Sequence, residues 1–172
     1  MKYMAIKKCD ILNGPGVRVS LWVSGCNHHC KNCHNPETHD KNAGMLFHSS
    51  TISEIIELLN DKFIDGITLT GGDPLFPDNR QTILELCKTI RAQFGSTKTI
   101  MIYTGYTYEE LMESQIATKI LSYADILVDG KYKEELNTGK CRWRGSSNQR
   151  LIDLNKTRQL HTIVTLEENK YA

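Results

Sequence analysis

The chain has 172 residues, of which 40% are apolar and 24% are charged. This length suits one domain with a sizeable core, and the apolar share excludes an intrinsically disordered chain. The net charge of +1 gives no global field that would attract nucleic acid. The sequence contains neither an apolar run of the roughly 18 residues that span a membrane nor an apolar leader. We therefore expect one soluble, cytoplasmic domain over residues 1–172, with no nucleic-acid or membrane partner.

Short apolar strands alternate with amphipathic helices along the chain. Apolar patterning predicts strands over residues 17–23, 66–70, 98–103 and 124–128. Pairs that resemble capping boxes predict helices beginning at Thr51, Asp78 and Thr107, the last running to about residue 118. Such alternation implies a parallel sheet with right-handed crossovers. A closed eight-unit barrel needs about 250 residues, so this chain can supply only part of one.

The densest chemical signal is the cysteine loop that follows the first predicted strand, Cys26-Asn-His-His-Cys30-Lys-Asn-Cys33. Thiolates are the usual ligands of iron–sulfur clusters, and this spacing lets one backbone wrap a small cluster. Three thiols leave one metal position open for a substrate, as catalytic metal sites generally do. The alternative is a structural zinc site whose fourth ligand is His28, His29 or His34. The other cysteines are scattered; Cys87 is predicted to be core, and Cys9 and Cys141 receive no role.

Three further turns follow the other predicted strands: Gly71-Gly72-Asp73-Pro74, Tyr103-Thr104-Gly105 and Asp129-Gly130-Lys131. Consecutive glycines let a ligand approach the backbone, although they are also typical of a simple tight turn. Asp129 could bind an amine or a ribose hydroxyl, and Lys131 could bind a carboxylate. The alternative is a simple Asp-Gly turn followed by a solvated lysine. Because the carboxyl ends of parallel strands meet at one edge, we expect these turns and the cysteine loop to form one site. A zinc module predicts no such convergence.

A late polar stretch, residues 142–150, contains no aliphatic residue and three neighbouring arginines. Its donors could bind a carboxylate, a phosphate or a protein partner, and a polar surface loop is equally consistent with the sequence. The candidates for partner contact are Arg142, Arg144 and Arg150.

The combination resembles the radical S-adenosylmethionine enzymes, in which a Cys-x3-Cys-x2-Cys loop binds a [4Fe–4S] cluster and a Gly-Gly-Glu/Asp-Pro turn binds the methionine amine. More narrowly, the chain is similar to the glycyl-radical activases of anaerobic ribonucleoside-triphosphate reductases. The matching stretches are 13–18, 24–33, 69–75, 103–106, 128–132 and 143–149. One departure is Asn32, which stands where many superfamily members carry an aromatic residue that contacts adenine. Residues from about 151 to 172 match nothing and are taken as a C-terminal extension of unknown role.

The resemblance implies an α/β fold, a partial (β/α) barrel open on one side, in which Cys26, Cys30 and Cys33 hold three irons. It places S-adenosylmethionine against Asn32, Cys33, His34, Gly71, Gly72, Asp73, Thr104, Asp129 and Lys131. The implied reaction is reductive cleavage of S-adenosylmethionine, which generates a glycyl radical on the reductase with electrons from a donor such as flavodoxin. The alternatives are activation of another glycyl-radical enzyme such as pyruvate formate-lyase, small-molecule radical chemistry, or a non-enzymatic zinc-binding interaction module.

Overall fold

The computed structural model describes residues 1–166, and no helix within them is long and apolar enough to cross a membrane. The strands are β1 Lys2–Asp10, β2 Arg18–Val23, β3 Met45–Leu46, β4 Gly66–Gly71, β5 Thr99–Tyr103, β6 Ile126–Asp129 and β7 Arg150–Asp153. The α-helices are α1 Ser49–Leu59, α2 Arg80–Phe94, α3 Tyr108–Met112, α4 Gln115–Leu121 and α5 Leu154–Leu160. Short 3-10 turns cover Pro36–Thr38 and Glu134–Leu136.

The strands form one seven-stranded sheet in the order β3-β1-β2-β4-β5-β6-β7. The four central strands, β2, β4, β5 and β6, are parallel. β1 and β7 flank them in antiparallel pairing, and β3 pairs with the outer side of β1. The two edge strands do not meet in the described part of the chain, so the sheet is open. This confirms the predicted α/β class with a parallel core, and the carboxyl ends of four parallel strands share one edge.

The two faces of the sheet differ because alternate residues of each strand point to opposite sides. On one face, Leu21, Leu69 and Ile102 belong to the main core, to which all five helices contribute buried side chains. On the other face, Met101 and Val128 belong to a smaller apolar cluster that Trp143 covers in part. All five helices therefore pack on the same side, and the second face is left to loops and to the cavity described below.

Arg18 fills this second face at the amino ends of the parallel strands. Its guanidinium is fully buried and donates to Thr68 Oγ1 at 2.7 Å, to the Ile67 carbonyl at 2.7 Å and to Thr99 Oγ1 at 2.8 Å. Burial lowers the pKa of Arg18 to about 10, so the side chain is still a cation at neutral pH. Gly14 is required beside it, since a Cβ there would lie 2.8 Å from Arg18 Cδ. Gly14, Pro15 and Gly16 of the Asn-Gly-Pro-Gly motif thus lie at the amino ends of the parallel strands, whereas Asn13 lines the cleft described below.

Strands β1, β3 and β7 and helix α5 were not predicted. β1 lacks a clean apolar alternation because only its first residues cover the core, and Lys7, Lys8 and Cys9 are exposed. The segment from residue 151, expected as an extension of unknown role, instead contributes to the sheet, and Ile152 and Leu154 join the main core. Residues 167–172 of that segment lie outside the described residues.

Two of the three predicted helix starts are wrong in detail. α1 begins two residues before Thr51, whose hydroxyl accepts the backbone N–H of His48 at 3.2 Å. Asp78 caps nothing, because its carboxylate pairs with Lys41 at 2.8 Å and α2 begins at Arg80.

The third predicted start, at Thr107, is confirmed. The Thr107 N–H donates to Glu110 Oε2 at 2.7 Å and the Glu110 N–H donates to Thr107 Oγ1 at 3.3 Å. That helix ends at Met112, however, and Ser114 caps the separate helix α4.

Candidate functional site: a cysteine-lined cleft at the strand ends

A cleft of about 380 Å³ opens at the carboxyl ends of the four parallel strands, on the face without helices. All three loop cysteines line it, together with Gly71, Gly72, Thr104 and Gly130 from the turns after the next three strands. The expected convergence of the four turns is therefore present. The remaining lining residues are Leu12, Asn13, Trp22, His28, His34, Asn35, His39, Thr70, Tyr103, Gly105, Tyr132, Trp143, Arg144, Gly145 and Gln149.

The cysteine loop leaves β2 through a short set of backbone hydrogen bonds. The Gly25 N–H donates to the Thr38 carbonyl at 2.8 Å, and the Cys26 N–H donates to the His39 carbonyl at 3.2 Å. His29 and Asn32 adopt left-handed φ angles of 48° and 51°, which turn the chain sharply between the cysteines. This folding brings the three thiols to one wall of the cleft, half-buried and without disulfide bonds.

Burial governs the protonation of these thiols. It raises the pKa of Cys26 to about 11, and burial together with the neighbouring Cys33 also raises the pKa of Cys30. Free of metal, both groups are therefore thiols at neutral pH, and they must lose their protons when they become ligands. Among the described residues, no three His, Cys, Asp or Glu side chains are grouped as ligands of a single metal ion.

The Gly-Gly turn after β4 packs directly on the base of the cysteine loop. The Asp73 N–H donates to the Gly25 carbonyl at 2.8 Å. A Cβ on Gly72 would lie 2.6 Å from the Gly25 carbonyl oxygen and 2.8 Å from that of Thr38. Gly71 has a φ of 102°, which side-chain-bearing residues rarely adopt. Both glycines are required by the turn itself, and both present bare backbone to the cleft.

Asp73 lies beneath this wall, and its carboxylate is fully buried. It accepts the Leu75 N–H at 2.7 Å, the Thr104 hydroxyl at 2.9 Å and the Gly105 N–H at 3.0 Å. The fourth partner is His28 of the cysteine loop, whose Nε2 lies 2.7 Å from Asp73 Oδ2. Asp73 therefore joins three of the four turns from below the cleft.

The fourth turn is also held by a buried carboxylate. Asp129 is 1% exposed and accepts the Tyr108 N–H at 2.7 Å and two donors of Arg150. The same guanidinium pairs with Glu109 at 2.7 Å, where it lowers the pKa of that carboxyl to about 2. Arg150, expected as a partner contact, thus pairs with two carboxylates of its own chain, and a third of its side chain is exposed. Lys131 is exposed beside this turn.

The polar stretch 142–149 covers the opposite side of the cleft. Gln149 Oε1 accepts the N–H groups of Gly145 at 2.8 Å and Ser146 at 3.1 Å, and its Nε2 donates to the Gly130 carbonyl at 2.9 Å. Arg144 Nη1 donates to the Gln149 carbonyl at 2.8 Å. The stretch is therefore folded onto the fourth turn, with Arg144 in the cleft wall.

These donors fit an iron–sulfur cluster. All three loop cysteines line a cleft large enough for a small inorganic cluster and part of an organic ligand, and thiolate sulfur is the usual ligand of such clusters. The matching family is described as a 4Fe-4S single cluster domain and covers residues 12–152. That range includes every turn around the cleft.

Several known proteins are similar to this chain over most of its length. An "anaerobic ribonucleoside-triphosphate reductase-activating protein" of Enterobacteria phage T4 is 44% identical over 151 residues, which are 88% of this chain and 93% of that protein. Proteins of the same name from Escherichia coli K12 and Pasteurella multocida are 43% and 38% identical over 87% of this chain. The chain belongs to the family of anaerobic ribonucleoside-triphosphate reductase-activating proteins. This confirms the resemblance stated from the motifs.

The predicted site residues occupy three kinds of position in the structure. In the cleft wall lie the three loop cysteines, His34, Gly71, Gly72, Thr104 and Arg144. Asp73 and Asp129 are buried beneath it. At the surface, the Asn32 amide donates to Glu134, while the Arg142 guanidinium lies 4.6 Å from the ring of Trp143.

Sequence reasoning missed several residues of the cleft, among them Trp22, His28 and Tyr132. Trp22 was detectable, because it alternates with the apolar positions of β2 and so faces the side opposite to Leu21. His28 was considered only as a zinc ligand, and nothing in its neighbours indicated a pairing with Asp73, 45 residues away. Tyr132, whose ring lies 4.7 Å from that of His34, falls in the matching stretch 128–132 but was given no role.

Proposed function

We propose that the chain is a radical S-adenosylmethionine activase that generates a glycyl radical on anaerobic ribonucleoside-triphosphate reductase. One observation carries the proposal: the three loop cysteines and the bare Gly71-Gly72 backbone line the same cleft. The names of the relatives supply the reductase as partner. The curved architecture that we propose is a partial (β/α) barrel, with helices on the outer face of the open sheet and the cleft on the inner face.

In this proposal Cys26, Cys30 and Cys33 bind three irons of a [4Fe–4S] cluster, and the fourth iron is left to S-adenosylmethionine. The carbonyls of the Gly71-Gly72 turn accept hydrogen bonds from the methionine ammonium, which can approach because neither residue has a side chain. His34 and Thr104 are further contacts in the wall. Asp73 and Asp129 act by holding their turns, since their carboxylates are already bonded to the protein.

When bound and reduced, the cluster held by the three loop cysteines would supply the electron for reductive cleavage of S-adenosylmethionine, and that cleavage would provide the oxidant for removing a hydrogen atom from a glycine of the reductase. A low-potential donor such as flavodoxin, which stays a prediction, would restore the electron. The protein's own contribution is orientation and exclusion of water. Trp22, Tyr103 and Trp143 give the cleft an aromatic lining suited to both.

The open sheet leaves the cleft accessible to a partner protein from one side. The lining residues belong to strand ends and loops, and no helix of the described chain contributes to them. A glycine-bearing segment could therefore reach the ligand across the open face, and a sealed barrel would prevent this. We propose that the reductase closes the cleft from this side.

The test is anaerobic reconstitution with iron and sulfide, followed by incubation with reductant, S-adenosylmethionine and purified reductase. We expect a brown protein with broad absorbance, 5′-deoxyadenosine as product and a glycyl-radical signal in electron paramagnetic resonance spectra. Pyruvate formate-lyase in place of the reductase is the matched partner control. A signal on that enzyme alone would favour the other glycyl-radical assignment. A colourless zinc protein without 5′-deoxyadenosine would refute the proposal.

A further inference from the structure

His28 is the buried side-chain contact between the cysteine loop and the rest of the site. Its side chain is 6% exposed, and that of its partner Asp73 is 1% exposed. Because a carboxylate only accepts, Nε2 is the donor in this 2.7 Å contact. The His28 ring also meets the ring of Tyr106 edge to face, with centroids 4.5 Å apart.

The other side-chain contacts described for residues 27–32 come from exposed residues of the loop, among them His29, whose ring centroid lies 5.5 Å from that of His39. Asn27 accepts the Tyr106 hydroxyl at 3.2 Å, and Lys31 lies 3.2 Å from Glu134 with 84% of its side chain exposed. Exposed contacts of this kind contribute little to the stability of the loop conformation. The position of the loop relative to the Gly-Gly turn therefore depends chiefly on His28 and on the backbone hydrogen bond from the Asp73 N–H to the Gly25 carbonyl.

The space for His28 is shaped by the third turn. A Cβ on Gly105 would lie 2.4 Å from His28 Cδ2 and 2.7 Å from its Nε2. The Gly105 φ angle is not positive, so its lack of a side chain serves the packing of His28 rather than backbone conformation. The same Gly105 donates its N–H to Asp73. The ring, the glycine and the carboxylate thus form one contact between three turns.

We propose that His28 is a positioning residue that, through Asp73, fixes the cysteine loop against the turn that binds the methionine end of S-adenosylmethionine. The inference rests on the proposed function and adds a residue to it. If the loop shifts, the three thiols can still hold a cluster, since His28 supplies none of the three sulfur ligands. The open iron and the Gly71-Gly72 carbonyls would then no longer lie at the separation that one ligand can bridge.

The experiment compares His28→Ala with His28→Gln, whose amide can still donate to Asp73, in the full-length, cluster-loaded protein. The control is His29→Asn in the same loop, because the exposed His29 adopts a left-handed φ that Asn tolerates. The readouts are iron per chain and the Kd of S-adenosylmethionine by equilibrium dialysis with the cluster oxidised, where no cleavage occurs. A role limited to stability would lower the unfolding free energy without changing this Kd.

We expect all three variants to retain iron. His28→Ala should bind S-adenosylmethionine about tenfold more weakly, the effect of losing one buried, charge-assisted hydrogen bond. His28→Gln and His29→Asn should stay within about threefold of the parent, since each keeps the contact. An unchanged Kd for S-adenosylmethionine in His28→Ala would overturn the inference. Iron loss in both His28 variants would also overturn it, because it would make His28 a ligand of the cluster. Failure of the parent protein to bind S-adenosylmethionine would instead refute the proposed function.

A second variant keeps the inference testable if His28→Ala folds poorly. Gly105→Ala should displace the His28 ring and weaken S-adenosylmethionine binding in the parent protein. The same substitution should have little further effect in the His28→Ala background, where the ring is absent. Additive losses in this double-mutant cycle would show that the two residues act separately and would overturn the inference.

Discussion

Replacing Arg150 with Met should destabilise the protein rather than impair recognition of a partner. Arg150 donates to both oxygens of Asp129 and to both oxygens of Glu109. Met keeps most of the aliphatic volume and removes all these donors. Asp129, which is 1% exposed, then keeps only the Tyr108 N–H among its described partners.

The ion pairs of Arg150 with Asp129 and with Glu109 should contribute different amounts to the free energy of unfolding, because the two carboxylates differ in burial. Removing one partner of a fully buried pair costs about 3–5 kcal/mol. Here the Arg150 side chain is 33% exposed and one donor to Asp129 remains, so we expect a loss of about 2–3 kcal/mol. The Glu109 side chain is 59% exposed, so Glu109→Gln should cost only about 0.2–1 kcal/mol.

Urea unfolding of the metal-free protein measures both variants. We expect Arg150→Met to lower the transition midpoint clearly, with an unchanged m-value, and Glu109→Gln to lower it slightly. Equal losses of stability in the two variants would show that the exposed pair with Glu109 provides the stabilisation, and would refute the reasoning from burial. If Arg150→Met kept full stability but lost glycyl-radical formation, the sequence-based expectation of a partner contact would be right after all.

Four further predictions follow from the site. Alanine at any one of the three loop cysteines should abolish or deplete cluster iron, whereas Cys141→Ala should retain it; equal iron loss in Cys141→Ala would indicate a four-cysteine site. Gly72→Val should lower both thermal stability and S-adenosylmethionine binding, because its side chain meets the Gly25 carbonyl; a normal melting temperature would contradict this clash. Arg144→Ala should reduce glycyl-radical yield on the reductase while sparing 5′-deoxyadenosine formation without it; equal loss of both would assign Arg144 to the cofactor site. Because Arg150 lowers the Glu109 pKa from 4.5 to about 2, this pair stabilises the fold above about pH 4.5 and loses its effect as the pH falls towards 2. Acid unfolding of Glu109→Gln should therefore lack this contribution. Identical dependence of stability on pH between 4.5 and 2 in the parent and the variant would refute it.

The chemistry of the site was largely predictable from sequence because it depends on spacing within short segments. Three thiols within eight residues can be recognised without knowing the fold, since their separation along the backbone limits their separation in space. The turns after β4, β5 and β6 were predictable for a related reason. Apolar strands that alternate with helices imply a parallel sheet, and the carboxyl ends of parallel strands share one edge. The cleft at that edge contains residues from all four turns.

Capping and edge elements were less predictable because each depends on competition between local and distant partners. Asp78 has the residue type and spacing of a helix cap, yet Lys41, 37 residues away, binds its carboxylate. β7 is only four residues long, and it is defined by pairing with β6 rather than by a pattern of its own. Neither outcome can be inferred from neighbouring residues.

The roles of individual polar side chains were decided only by the tertiary structure. Sequence placed Asp73 and Asp129 in the ligand site, since both follow parallel strands. In the folded chain each carboxylate is buried and must be satisfied by donors, which come from His28 and Thr104 in one case and from Arg150 in the other. The sequence by itself determined that three thiols lie close together in one loop, because covalent spacing limits their separation. Burial decided which charged groups face the ligand and which hold the walls, because a buried charge requires partners that only folding brings to it.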